Sequence, residues 1–439
     1  MKKIFLIVLV LFSILFCSCN LSKVYYKKGN LKFKKQDYQG AITNFTKAIN
    51  KNSKYINAYI NRGIAKANLK DFQGAIEDFT KVIDLNPKDE KGYYNRGMVK
   101  DDFKDYQGAI EDYTKAIDLN PKDADNYYNR GDVKDKLEDF KGAIEDYTKA
   151  IELNPKDAEI YNNRGVAKDK LEDYQGAILD FTKAIELNPM KDNSFYNRGN
   201  AKHEFQDFDG AIEDYTKAIE INPKDADSYY NRGSVKDDLE DFKGAIEDYT
   251  KAIEINPKEA DVYYNRGITK EDLGDYYGAI EDYTKAIDLN QNDEDFYYNR
   301  GRIKVLLNDN QGAIFDFSKA LELNPDFSAA YNNRGFAKVE LKDYLGAISD
   351  CSKSIELNLN DVDAYFNLGN AKCGLKNYQE AIKDFDKAIE LNPNLGVVYN
   401  NRGICKIKLN QKESACLDFK KAIELGYDDA EKLVLENCK

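Results

Sequence analysis

Apolar and polar positions recur along this chain with a fixed phase. Aligned on the glycines Gly29, Gly63, Gly97, Gly131, Gly165, Gly199, Gly233, Gly267, Gly301, Gly335, Gly369 and Gly403, the sequence falls into twelve contiguous 34-residue units. With that glycine as position 8, the unit at 124–157 reads ADNYYNRGDVKDKLEDFKGAIEDYTKAIELNPKD. Positions 4, 7, 11 and 14 share one face of a first helix. Positions 17, 20, 21, 24, 27 and 28 form the apolar stripe of a second, at the spacing of an amphipathic helix. Position 4 is aromatic and position 20 is alanine in every unit, and all eight prolines, Pro87 to Pro393, fall at position 32. Proline confined to one phase breaks the helices between units. The small residues at positions 8 and 20 let paired helices approach closely. No unit can bury its stripe alone, so stacking supplies the core. The pattern predicts an all-α solenoid.

This motif resembles the tetratricopeptide repeat over residues 22–429. The resemblance implies a helix–turn–helix in each unit, stacked into a right-handed superhelix with a concave inner groove. Terminal units of such arrays are atypical. Here the first has Lys27-Lys28-Gly29 where others read Asn-Arg-Gly, and Ser53 replaces its proline. Residues 430–439, AEKLVLENCK, read as a capping helix.

Position 7, where the family usually carries leucine, is Arg in ten units, with Lys28 in the first and Leu368 in the eleventh. Position 11 is Lys in all twelve, and position 23 is Asp in eleven, with Asn44 in the first. Two cations thus face the seam between the helices. A buried arginine without a partner costs several kcal/mol, so it is expected to take the position-23 carboxylate through two parallel hydrogen bonds. The expected pairs include Arg96–Asp112, Arg130–Asp146, Arg164–Asp180 and Arg232–Asp248. The position-11 lysine is expected to lay its stem along the seam and put its head in water.

Positions 2, 5, 6, 9, 12 and 13 occupy the opposite face of the first helix, which in the family lines the groove. Position 6 is Asn in eleven units, among them Asn95, Asn129, Asn163, Asn197, Asn231, Asn265 and Asn299. A column of carboxamides, each donor and acceptor, can clamp an extended peptide backbone. The alternative is that these asparagines hydrogen-bond within the scaffold. Position 5 adds Tyr94, Tyr128, Tyr196, Tyr230, Tyr264 and Tyr298, together with Tyr26, as flat amphipathic surfaces. Position 12 is acidic in the middle units (Asp101, Asp135, Asp169, Asp237 and Glu271, interrupted by His203), and position 2 adds Asp125, Glu159, Asp227, Asp261 and Asp295. That points to a basic or neutral protein partner, unless the acids serve only as a solvated face.

The net charge is -12, with no basic block to neutralise phosphates, so nucleic acid is not expected. Every carboxylate recurs in register, the single histidine is His203, and no phosphate loop or metal spacing is present, so neither catalysis, small-molecule substrate nor cofactor is expected. Cys351, Cys373, Cys405, Cys416 and Cys438 lie near the C-terminal end without a C-x-x-C, and read as small buried thiols more readily than as disulfides.

Residues 1–18 read as a signal peptide: Lys2 and Lys3 precede a 13-residue apolar core, Ile4 to Phe16. The following Phe16-Cys17-Ser18-Cys19 resembles a lipoprotein lipobox, which implies cleavage before Cys19 and its lipidation, leaving residues 19–21 as the lipidated N-terminus. An ordinary cleaved signal peptide is the alternative. The whole reads as a non-enzymatic, lipid-anchored adaptor of the bacterial envelope that binds protein partners in its groove. The other reading is an assembly scaffold using edge and convex-face contacts, self-association included.

Overall fold

The computed structural model describes residues 21–438, which form helices and no strands. Cys19 and residues 1–20 lie outside the described part, so the leader and its lipid are expectations carried forward. The fourth unit shows the pattern, with a first helix over Ala124–Lys136 and a second over Phe140–Leu153. The chain divides into two bodies, Met1–Pro223 and Lys224–Lys439.

Two local devices turn each first helix into its second. Position 15 adopts a left-handed conformation, as at Lys104 (φ 64°), Glu138 (φ 61°) and Gly274 (φ 83°), and stops the first helix. Position 16 then caps the second: Asp139 Oδ1 accepts from the Gly142 amide at 3.1 Å. A side chain at position 19 would run into that carboxylate, which explains the glycine. In the eleventh and twelfth units Glu380 and Ser414 replace that glycine. There Asn377 and Gln411 stand at the cap and make no side-chain cap bond.

Within a unit, the position-24 ring lies over the position-8 glycine: a Cβ on Gly131 would stand 2.9 Å from the Tyr147 ring. Between units, Ala143, Tyr147 and Ala150 pack with Ile160 and Ala167 of the next first helix. The core is therefore a string of small clusters, each shared by neighbours, as a solenoid requires.

At the C-terminal end, Ala430–Asn437 is a helix that packs Ala430 on Ala415, Phe419 and Ala422. Here the expectation for the cysteines is corrected: Cys416 and Cys438 form a disulfide, their Cα atoms 5.7 Å apart. The final helix returns the chain to the second helix of the last unit, which brings together two thiols 22 residues apart. Cys351 and Cys405 are buried thiols, and Cys373 is half-buried.

Candidate functional site

The seam comes first, because it fixes what the outer face of the first helix can present. Arg130 donates from Nε and Nη2 to Asp146 at 2.8 and 2.6 Å. Its remaining branch, Nη1, donates to Thr114 of the preceding unit at 3.0 Å, and the guanidinium lies 5.9 Å from the Tyr127 ring. Arg96–Asp112, Arg164–Asp180 and Arg232–Asp248 repeat the fork, with Nη2–Oδ1 distances of 2.7, 2.6 and 2.6 Å. Asp146 is only 3% exposed, so this charge-assisted pair sits in a medium where it cannot be left half-made.

The lysine at position 11 departs from expectation. Its head does not reach into water: Lys134 Nζ lies 2.8 Å from Asp146 Oδ2 and donates to the Gly142 carbonyl at 3.3 Å. One carboxylate thus holds two cations, because its second oxygen still has lone pairs after the arginine is bound. Where position 23 is Asn44, the lysine turns elsewhere. Lys32 pairs with the cap residue Asp37 at 2.7 Å, and that hydrogen bond lowers the Asp37 pKa.

Across the seam from this network, the first helices of neighbouring units share a polar face. The asparagine at position 6 donates to the tyrosine hydroxyl at position 5 of the preceding unit. Asn129 reaches Tyr94 at 3.3 Å and Asn163 reaches Tyr128 at 3.1 Å. In the second body Asn265 reaches Tyr230 at 2.6 Å and Asn299 reaches Tyr264 at 2.8 Å. Where position 5 is not tyrosine the partner changes: Asn95, following Ile60, bonds the Lys91 carbonyl at 2.6 Å, and Asn197 bonds Asn162 at 3.3 Å. Asn333 donates to Tyr298 at 3.1 Å, while Tyr196 and Asn231 lie at the same positions of their own units. The carboxamide nitrogen of most ladder asparagines is therefore engaged within the scaffold, and that of Asn129 and Asn299 donates a second time, to the Asp125 and Asp295 carbonyls. A tyrosine hydroxyl that accepts from asparagine still carries its own proton. Burial pushes the pKa of Tyr128 and Tyr264 up to about 12, so they remain donors.

The acids of this face are not equivalent. Asp101 is held by Lys136 at 2.9 Å, and Glu271 by Arg302 at 3.1 Å with the Tyr283 hydroxyl also at 3.1 Å. Arg302 also donates from Nη1 to Asn299 Oδ1 at 2.9 Å. Asp135 and Asp169 in the first body, and Asp237 in the second, each keep one carboxylate oxygen that is shut from solvent and has no hydrogen-bond partner among the described residues. Burial raises the pKa of all three, and of Asp125 and Asp295 at position 2.

Two contacts lay outside the sequence reading. One is the threonine at position 25, which recurs with the 34-residue period in Thr80, Thr114, Thr148 and Thr182; that periodicity was the available signal. The other is the partner taken by the scaffold-bonded asparagines, the tyrosine of the preceding unit, which depends on stacking register. Among the described residues, no group of His, Cys, Asp and Glu could hold a metal, and no helix is long and apolar enough to cross a membrane.

Sequence profiles described as "Tetratricopeptide repeat" match residues 56–89, 158–191, 226–259, 260–293 and 362–395, and a second such profile matches 294–327 and 397–426. A profile described as "TPR repeat" matches 29–70, 104–137, 136–171 and 199–236. No curated protein matches the sequence. Among solved structures, similarity extends to YrrB, described as a TPR protein with an unusual peptide-binding site, at 28% identity over 41% of this chain and 92% of that one (TM-score 0.37). MamA from Desulfovibrio magneticus RS-1 is similar at 23% identity over 39% and 96% of the two chains (TM-score 0.37). The C-terminal part of a TPR repeat-containing protein from Cytophaga hutchinsonii is similar at 21% identity over 54% and 97% (TM-score 0.48).

Proposed function

The chain belongs to the tetratricopeptide-repeat family, an architecture of protein–protein interaction, and from that premise we propose that it is a non-enzymatic adaptor of the bacterial cell envelope. In this reading it is lipid-anchored through Cys19 and holds a basic or neutral protein partner in its groove, on the face of the first helices turned away from the seam. The observation that carries the partner's chemistry is the treatment of the chain's own Arg302. Its guanidinium rests between Glu271 at position 12 and Asn299 at position 6 of the following unit. Asp135 with Asn163, and Asp169 with Asn197, stand at the same pair of positions. A partner's arginine or lysine offered there meets a carboxylate whose charge is raised in energy by burial, and relieves it.

The ladder acts differently in this scheme from a simple carboxamide clamp. At Asn129 and Asn265, whose N–H groups bind tyrosine, the asparagine offers its Oδ1 and the tyrosine offers its proton. Together they can still match the N–H and C=O of an extended peptide.

The experiment is a crosslinking pull-down from membranes, comparing the full chain with Asp135→Asn/Asp169→Asn. Partner recovery is expected to fall in the variant. Undiminished recovery of the same partners excludes this face as the docking surface. The anchor has its own test: metabolic labelling with a fatty acid should mark the wild type and miss Cys19→Ala, and labelling that survives the substitution rejects the assignment.

A second reading, an assembly scaffold using its convex face, draws on Tyr277, Phe315 and Leu345. These stand 73%, 57% and 72% exposed on the second helices of three successive units. It predicts concentration-dependent self-association in sedimentation that Phe315→Lys abolishes.

A further inference from the structure

Besides the closed Cys416–Cys438 bridge, the last two units hold a second pair of sulfurs that the adaptor reading does not use. Cys373 sits at position 12 of the eleventh unit and Cys405 at position 10 of the twelfth, and the Cys405 thiol donates to Cys373 Sγ at 2.9 Å. We propose that Cys373 and Cys405 form a dithiol–disulfide modification site that covalently joins the eleventh repeat to the twelfth when a small disulfide acts on it.

Geometry carries the case. A disulfide has sulfurs about 2.05 Å apart, so closure asks for a movement of under about 1 Å, within reach of side-chain rotation. The two residues belong to neighbouring first helices that already pack together: Cys405 is part of the cluster of Ala381, Phe385, Ala388 and Val398, with Cys373 at its edge. The corresponding positions elsewhere carry no such pair, as with Asp135 and Ala167.

The two thiols are unequal in a way that assigns their roles. Cys405 is fully buried, whereas Cys373 is half-buried on the polar face of the first helix and open to a small reagent. The hydrogen bond from Cys405, with Lys408 nearby, lowers the Cys373 pKa, while donating that bond and being buried raise that of Cys405. Cys373 is the attacking sulfur and Cys405 the resolving one. Cys351, by contrast, lies buried beneath Gly335, and burial lifts its pKa to about 12, so it serves as an internal control.

The chemistry is thiol–disulfide exchange. The Cys373 thiolate attacks one sulfur of a low-molecular-weight disulfide, whose S–S bond breaks and releases one thiol. Cys405 attacks Cys373 Sγ in the mixed disulfide and gives its proton to the departing thiolate, forming the new S–S bond and releasing the second thiol. The protein dithiol is oxidised by two electrons, and the small disulfide is reduced to two thiols.

The probe is oxidised glutathione on the full chain, read by intact mass and tryptic mapping. The expected product has lost two hydrogens and carries no glutathione, with fragment 373–376 joined to 403–406 and Cys351 still a free thiol. Cys405→Ser is expected to trap one glutathione on Cys373, and Cys373→Ser to leave Cys405 unmodified. Closure should also raise the melting temperature of the C-terminal repeats. A stable glutathione adduct on wild-type Cys373, or two unreacted thiols, overturns the proposal. The wild-type map decides even if the buried serine of Cys405→Ser impairs folding.

Discussion

The carboxylate at position 23 decides whether a unit can keep two cations in its seam. In the fourth unit, Asp146 neutralises Arg130 and Lys134 together. Asp146→Asn removes the only anion from that network, so local stability should fall by about 3 kcal/mol, read by hydrogen exchange across Phe140–Leu153. The eleventh unit supplies the contrast. Leu368 replaces the arginine, and Asp384 keeps only Lys372, at 2.7 Å. Burial there raises the Asp384 pKa, so folding favours its acid form. That contribution is present below the unfolded pKa and is lost as pH rises through the folded value. Asp384→Asn should therefore cost much less at neutral pH than Asp146→Asn, and equal losses would contradict the two-cation account. Position 15 gives a second residue-scale test: Glu138 stands at φ 61°, where glycine is unstrained, so Glu138→Gly should gain about 1 kcal/mol in chemical denaturation.

At the scale of the element, the caps and the final helix set how each end holds. Asp139→Ala should cost the second helix about 1 kcal/mol through the lost bond to Gly142. In the eleventh unit the paired change Asn377→Asp/Glu380→Gly should install such a cap. Ala430–Asn437 is too short to persist unaided, so Cys438→Ser should make its amides exchange rapidly. The helices and their breaks were legible in the sequence because proline, glycine and the apolar stripe keep one phase. The Arg–Asp fork was legible for a related reason: a charge repeated on an inward face requires a counter-charge at a matching repeat position. Other contacts were not. The lysine at position 11 had two chemically acceptable destinations, water or the spare lone pair of Asp146 Oδ2, and the burial of the seam decides between them. The Asn129–Tyr94 bond and the Cys416–Cys438 bridge arise only once units stack and the last helix folds back, so no local pattern announces them.

At the scale of the molecule, the repeat separates support from display. Most seams bind their own charges, and several reach one unit back through threonine, which leaves the other face of the first helices free to vary. Variation is what that face carries: acids held by Lys136 and by Arg302 in some units, and Asp135, Asp169 and Asp237 with an unmatched oxygen in others. Unlike the seam carboxylate Asp384, which Lys372 faces at 2.7 Å, these three carry a burial cost that no seam cation offsets. The account therefore predicts opposite signs for stability and binding when those charges are removed. Because their pKa values are raised, the charged forms oppose folding at neutral pH, and that cost vanishes as pH falls through the folded values.

The most direct measurement is a pair of readings on Asp135→Asn/Asp169→Asn/Asp237→Asn: melting temperature at neutral and at acid pH, and partner recovery from crosslinked membranes at neutral pH. The predicted result is a higher melting temperature at neutral pH, a smaller difference in acid, and reduced recovery of the partner. A variant that melts lower than wild type at neutral pH and still recovers its partner undiminished would contradict the account.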